Sequence, residues 1–506
     1  MHSRYTFTLM PLSVSPLSIC FVASEVVPLS KTGGLADVAG ALPKQLRARG
    51  HDVRVFTPFY SSIDRLALRV TQVEGIQDIV LMLDGTPFKF SLFEAQLPGS
   101  TLPIYLIDCP AFFHRATLYT LHADEALRFL LLQRATLESC QRLKFAPHIL
   151  HCNDWHTALL PLMLKSTYGW DRLFAGTRSL LSIHNIGYQG EFSATTIAAS
   201  GLTHHIGDLE ADDLAHGKIV WLREGIRHAH AVATVSPTYA KEICTPSGGA
   251  GLESTLLARS TLPAGILNGV DYHEWQPKTD RYLPARYDAT DLSGKARVKE
   301  ALLQRFNLHG EDHTPLLGMV SRLAQQKGFD LLFDALPELL QQRELSVVVL
   351  GSGEAKYEEF FRTLSKQFTG RIAFQQGYSE EVAHWIEAGS DMFLMPSLYE
   401  PCGLNQLYSL KYGTIPIVRR TGGLADSVQH WDPDAQTGTG IVFNDFDVPA
   451  VRWALHTALD LFKDRPTWRR MIQNGMAQDF SWEHQVVEYE ALYARMLSEP
   501  LARLTG

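Results

Sequence analysis

At 506 residues, with 45% apolar and 20% charged side chains, the chain reads as globular and too long for one ordinary core, so two large domains are expected. A net charge of −8 argues against nucleic acid or an anionic membrane as main partner. It also makes single loop cations informative, because an acidic protein that binds phosphate must gather positive charge locally. Six cysteines without paired spacing are neither a disulfide framework nor a zinc site, and they suit a reducing cytoplasm.

Residues 1–16 form a Ser/Pro-containing tail that is expected to be flexible. With Leu17-Ser18-Ile19-Cys20 it mimics a signal peptide ending in a lipidation cysteine. Pro11 and Pro16 break the apolar part, however, and Ile19 is bulky where such sites need a small residue. Export is therefore not expected, and no apolar run approaches the roughly 18 residues of a membrane span.

From residue 17 strands alternate with helices. Strand 17–23 is followed by the loop Ser30–Gly34, a helix over 36–49 stopped by Gly50, and a strand over 51–56. Residues 68–107 read as hairpins around Asp84-Gly85 and Pro98-Gly99. A helix over 123–143 precedes strand 148–152 and a helix from Thr157. Strands follow over 179–184, 230–235 and 262–267, with Ser236 as N-cap of a helix over 237–243. After a Pro-rich crossover at 276–290 the alternation resumes. Strands are expected over 316–321, 346–350, 371–375, 392–395, 415–418 and 440–443, and helices from Gly328, Glu354 and Ser379. Such alternation implies parallel sheets with ligands beyond the carboxyl ends of the strands.

Several clusters sit at those ends. Lys31 with Gly33 and Gly34 combines a point charge with backbone that a ligand can approach closely. Its hexapeptide Thr32-Gly33-Gly34-Leu35-Ala36-Asp37 recurs as Thr421-Gly422-Gly423-Leu424-Ala425-Asp426, one copy per half, as a ligand site lined from both sides would require. Arg322 and Lys327 follow an apolar strand and are placed to hold a diphosphate. Tyr378 follows another strand and can stack on a base. Glu400 precedes Pro401 at an expected helix start, where Gly403 and Leu404 offer amides to an anion. Histidines 151 and 156 straddle a strand-to-helix break and share no face with each other, so no metal is expected. Asp445-Phe446-Asp447, which has the look of a metal motif, is read as a helix cap, and Cys402 as packing without a histidine to activate it.

The stretch Ser397–Gln406, with Tyr412-Gly413-Thr414-Ile415-Pro416 and Arg420–Asp426, resembles bacterial glycogen synthases and plant starch synthases, and the likeness runs from about Leu17 to Leu497. It implies an α/β fold of the GT-B type, two Rossmann-like domains facing a cleft. The expected division is 17–270 on the acceptor side, 271–480 binding the nucleotide sugar, and a C-terminal helix in 481–506 crossing back. The implied activity is retaining transfer of glucose from ADP-glucose, or UDP-glucose, to an α-1,4-glucan such as glycogen, without cofactor, nucleic acid or membrane. By resemblance Glu400, His184, Asp154, Lys327 and Arg322 are catalytic. Lys31, Gly33, Gly34, Asp37, Asn268, Tyr378, Cys402, Gly403, Leu404, Asn405, Thr421, Gly422 and Gly423 bind substrate. The chain departs from the family at Asn405, where threonine is common, near Arg223, where lysine is usual, and in the acceptor-side loop between Phe112 and Leu127, which lacks its turn glycine. The altered loop keeps open a related transferase using UDP-glucose or another acceptor. A nucleotide-sugar epimerase of similar two-domain build is a more distant alternative, and intact Lys31, Arg322, Lys327 and Glu400 argue against a weakly active glucan-binding paralogue.

Overall fold

The computed structural model describes residues 15–120, 122–311 and 313–499, so the expected tail lies outside the described residues except for Ser15 and Pro16. The chain forms two compact units. The first takes the described residues up to Ala233, then Ala250–Ala264, and again those from Val486. The second takes Thr234–Gly249 and Gly265–Gln485. The polypeptide thus passes between units four times, where sequence reading places one division near residue 270 and a return at 481.

In the second unit the strands lie in the order Ile372–Gln376, Ser346–Gly353, Leu316–Leu323, Met392–Met395, Ile415–Arg419, Ile441–Phe443, all parallel. Counted along the chain this is the order 3-2-1-4-5-6 of a doubly wound sheet. The runs are apolar throughout because both faces are covered. Val347 and Val349 enter one core, with helices Leu332–Gln342 and Val448–Lys463. Val348 and Leu350 enter the other, with helices Ser293–Arg305, Glu380–Gly389 and Asn405–Tyr412.

The first unit centres on Ser18–Val22, which pairs in parallel with Asp52–Pro58 on one side and Ile149–Asn153 on the other. Arg178–Ile183 extends the sheet beyond Ile149–Asn153, and Pro103–Asp108 extends it beyond Asp52–Pro58. The expected hairpins appear as antiparallel Ile79–Leu83 and Thr86–Gln96, turning at Asp84 and Gly85, both with positive φ.

Four local expectations need correction. The helix placed at Pro401 starts at Asn405, because Gly403 (φ +73°) holds the chain in a turn until Leu404. Gly328 is likewise left-handed, delaying its helix to Leu332. The helix from Thr157 begins as a single 3-10 turn, Trp155–Thr157, before Leu160–Lys165. The strand over 262–267 shrinks to Ala264–Gly265. Helix Ser293–Arg305 and the small antiparallel pair Glu191–Ser193 with Lys218–Val220 escape the sequence reading; the helix has Leu292 at its N-cap, and the Asp291 carboxylate, one residue earlier, takes the Ser293 N–H at 2.9 Å.

Candidate active site

Each unit carries a cluster where its strand order reverses, the position at which open α/β sheets bind ligands. In the second unit this is the junction of Leu316–Leu323 with Met392–Met395. Arg322 lies at the end of the first strand, exposed, and makes no ion pair among the described residues. Lys327 closes the following turn, and its Nζ donates to Glu400 Oε2 at 2.7 Å. Ser397 Oγ donates to the same carboxylate oxygen at 3.0 Å, and Glu400 is 5% exposed. Gly328 makes this approach possible, since a Cβ there would sit 1.9 Å from Pro396 O. The result is a half-buried ammonium held against a buried carboxylate.

The neighbouring predicted residues divide into those that face the pair's surroundings and those that build its support. Cys402 is buried, takes a hydrogen bond from the Asn268 main chain, and has its thiol pushed up to about 12 by burial, so it is no nucleophile at neutral pH. Asn268 has a buried side-chain oxygen with no hydrogen-bond partner among the described residues. Asn405 turns inward, its amide donating to Val320 O at 2.5 Å. Gly422 and Gly423 lie against the main chain of 400–402: a Cβ would meet Glu400 O at 2.0 Å and Cys402 O at 2.1 Å respectively. Gly422 N–H and Thr421 Oγ already donate to Glu242 Oε1, at 3.0 and 3.1 Å. Tyr378 is 63% exposed, next to Gly377 with φ +103°, and its hydroxyl donates to Glu380.

In the first unit the cluster gathers after Ser18–Val22, Ile149–Asn153 and Arg178–Ile183. Lys31 pairs with Asp37 at 2.8 Å on the surface, whereas Gly33 and Gly34 face open space, so their missing side chains leave room instead of serving packing. Asp154 is 7% exposed with φ +54° and ψ −173°, a region that costs on the order of 1–3 kcal/mol outside glycine. Burial lifts its carboxyl from 3.8 to about 7 although Oδ1 accepts the His184 N–H at 2.7 Å. His184 is fixed through Asn153: the Asn153 amide donates to Val22 O at 3.0 Å, which aims its carbonyl oxygen at His184 Nε2, 2.9 Å away. Nε2 therefore carries the proton. Burial depresses the ring to about 3, so it is neutral, and its Nδ1 is a buried bare acceptor without a partner among the described residues.

Sequence reasoning missed Glu25 and Tyr119. Glu25 accepts from the main-chain N–H of Thr32 and from its Oγ at 3.2 Å, and burial raises its carboxyl to about 6. Tyr119 Oη shares a hydrogen with Ser24 Oγ at 2.8 Å and stacks on His156. Glu25 stands just beyond the central strand, so the strand-end rule alone would have found it. Tyr119 lies in the 112–127 loop, which Arg128, fully buried, ties down through Phe112 O, Leu118 O and Glu125. Among the described residues no group of three or more His, Cys, Asp or Glu could hold a metal. The Asp447 carboxylate caps helix Val448–Lys463 through Ala450 N–H. No helix of the described residues is long and apolar enough to cross a membrane.

Residues 303–478 match the family of glycosyl transferases group 1. Sucrose-phosphate synthase from Thermosynechococcus elongatus superposes with a TM-score of 0.57 over 95% of this chain and 99% of its own, at 15% identity, a likeness of fold alone. Fold and matched domain define a glycosyltransferase of the GT-B class. Residues 18–258 match the starch synthase catalytic domain. A glycogen synthase of Anaeromyxobacter sp. strain Fw109-5 is 46% identical over 96% of this chain and all of its own. Another from Koribacter versatilis is 44% identical over 95% and 98%. The catalytic domain of starch synthase IV from Arabidopsis thaliana, solved with ADP and acarbose, gives a TM-score of 0.89 at 34% identity, covering 96% of this chain and all of that one. The chain belongs to the glycogen and starch synthase family.

Proposed function

We propose that the chain transfers glucose from ADP-glucose to the 4-hydroxyl at the non-reducing end of an α-1,4-glucan, with retention. The observation that carries this reading is the Lys327–Glu400 pair at 2.7 Å where the second unit's strand order reverses. Glu400 suits the hydroxyls of the sugar and the positive charge that develops at its anomeric carbon. Lys327 and Arg322 supply cations for the departing diphosphate. The bond between the anomeric carbon and the phosphate oxygen breaks while acceptor O4 bonds on the same face, and the O4 proton leaves on the phosphate.

The bare Nδ1 of His184 accepts a hydrogen bond from a sugar hydroxyl, and Asp154 fixes the main chain that presents it. Lys31, Gly33, Gly34 and Asp37 border the space the substrate takes, and Tyr378 offers its exposed face to the base. Thr421 to Gly423 act from beneath, through the main chain of 400–402. ADP in the solved relative supports the adenine donor. The six unpaired cysteines suit the cytoplasm.

The test is nucleotide release from ADP-glucose and UDP-glucose, each with and without glycogen, for the wild type and Glu400→Ala. Glycogen-dependent ADP release that disappears in the variant is expected. Release from UDP-glucose alone would reassign the donor, and no glucan-dependent release from either would overturn the reading.

A further inference from the structure

The repeated hexapeptide is clasped by a glutamate in both places. Glu25 receives the N–H and hydroxyl of Thr32; Glu242 receives the hydroxyl of Thr421 and the N–H of Gly422. Glu242 ends the short helix Pro237–Glu242, which belongs to the second unit and is fastened there at three further points. Ser236 Oγ donates to Pro401 O at 2.7 Å, and Thr238 donates to Asp426 through its N–H at 2.7 Å and its hydroxyl at 2.6 Å. Arg419, whose guanidinium feels the Glu242 charge, ties the same neighbourhood to Leu398 O at 2.6 Å.

What the clasp holds matters for chemistry. Gly422 has φ +42° and packs without a Cβ against Glu400 O, and Gly423 N–H donates to Glu400 O at 3.1 Å. The turn 421–423 is therefore the floor under the main chain of Glu400, and Glu242 is the side chain that pins the floor. A turn at positive φ, with its first amide taken by a carboxylate, would relax if that acceptor were lost.

We propose that Glu242 is a positioning residue for glucosyl transfer, holding the Thr421–Gly423 turn so that Glu400 stands at the right height beneath the transferred sugar. The inference rests on the reading of Glu400 given above. Glu242 touches no substrate in this account; it occupies the amide that the hexapeptide offers to anions, so the donor phosphates are held elsewhere, by Arg322 and Lys327.

The test compares wild type, Glu242→Ala, Glu242→Gln and Glu400→Ala, measuring kcat and KM for donor and for glycogen, melting temperature, and the alkylation rate of Cys402. Cys402 reports the turn without needing turnover, because Gly423 packs on its carbonyl. Glu242→Ala is expected to lower kcat on the order of a hundredfold, as a misplacement of about 1 Å does, with the glycogen KM little changed and Cys402 alkylated faster. Glu242→Gln, which keeps an oxygen for both donors, should recover to within about threefold of wild type. Four results would overturn the inference: unchanged kcat in Glu242→Ala, unchanged Cys402 alkylation, a glutamine variant as impaired as alanine, or a lower donor KM in Glu242→Ala. The last would mean that the carboxylate competes with phosphate. Wild-type turnover in Glu400→Ala would overturn the parent reading and this inference with it, whereas an inactive Glu400→Ala beside an unimpaired Glu242→Ala overturns the inference alone.

Discussion

Replacing Asp154 by asparagine removes a charge but keeps the oxygen that receives the His184 N–H at 2.7 Å, and asparagine tolerates positive φ better than most residues. Burial raises the carboxyl from 3.8 to about 7, so the folded chain binds this proton more tightly than the unfolded chain does. The sign follows: the stability tied to the bound proton is fully present below about pH 4 and is lost as pH rises to 7. Each tenfold in proton affinity is worth 1.36 kcal/mol, so by pH 8 the buried carboxylate costs on the order of 4 kcal/mol. Asp154→Asn should therefore be more stable than wild type above pH 7, with the difference shrinking steadily towards pH 5. At about 2–4 °C per kcal/mol for units of this size, the gap at pH 8 is on the order of 10 °C. Melting curves of both proteins between pH 5 and 8.5 read it directly. A difference that does not vary with pH would refute the account of Asp154 as a buried, reluctantly ionised group.

The two hexapeptide copies should answer mutation differently. Gly33→Ala meets open space and should leave the melting temperature unchanged while weakening donor use, whereas Gly422→Ala meets Glu400 O at 2.0 Å and should destabilise by more than about 2 kcal/mol in chemical denaturation. Gly328→Ala combines φ +76° with a Cβ 1.9 Å from Pro396 O, and a loss of at least about 2 kcal/mol with collapse of the Lys327–Glu400 pair should show as low stability and no turnover. Lys327→Ala leaves the buried Glu400 without its ion-pair partner, which should cost about 3 kcal/mol at the lower end for broken buried pairs and raise the donor KM; titration with ADP checks the second effect. His184→Phe fills the ring's place without an acceptor and should lower kcat/KM on the order of a hundredfold, read by steady-state kinetics. It also strips the buried Asn153 Oδ1 of its donor, at a cost of about 1–3 kcal/mol that should show as a lower melting temperature.

The parallel architecture was legible because uninterrupted apolar strands alternate with amphipathic helices, and Ser236 and Ser379 do cap the helices they precede. The cation–carboxylate pair could be anticipated because both members sit just past strand ends, where motif and topology point to the same place. Positive φ was harder to see. Gly403 and Gly328 look like ordinary loop glycines in sequence, yet each shifts a helix start by several residues. The hexapeptide echo suggested equal roles, but one pair of glycines borders open space and the other packs on a neighbouring main chain, a distinction that depends on partners far along the chain. Glu25 could have been found from its place at a strand end, but Glu242 carries no motif; its carboxylate becomes meaningful only once the fold brings the Thr421 hydroxyl and the Gly422 amide to it.

The first unit takes in residues far along the chain, those of helix Trp482–Ser498 from Val486 on. Tyr493 Oη meets His151 Nδ1 at 2.8 Å across 342 residues, Glu490 takes Arg49 through both carboxylate oxygens at 2.6 and 2.8 Å, and Arg178 reaches Met496 O at 3.1 Å. On the ribosome, at about 5–20 residues per second, His151 waits roughly 20–70 s for Tyr493 to be made. During that interval the strand Ile149–Asn153 lacks one of its covers, so a nascent chain stalled or truncated before residue 486 would display apolar surface of the first unit. Helix Trp482–Ser498 thus covers strands made more than 300 residues earlier, and its deletion should reveal itself first as aggregation.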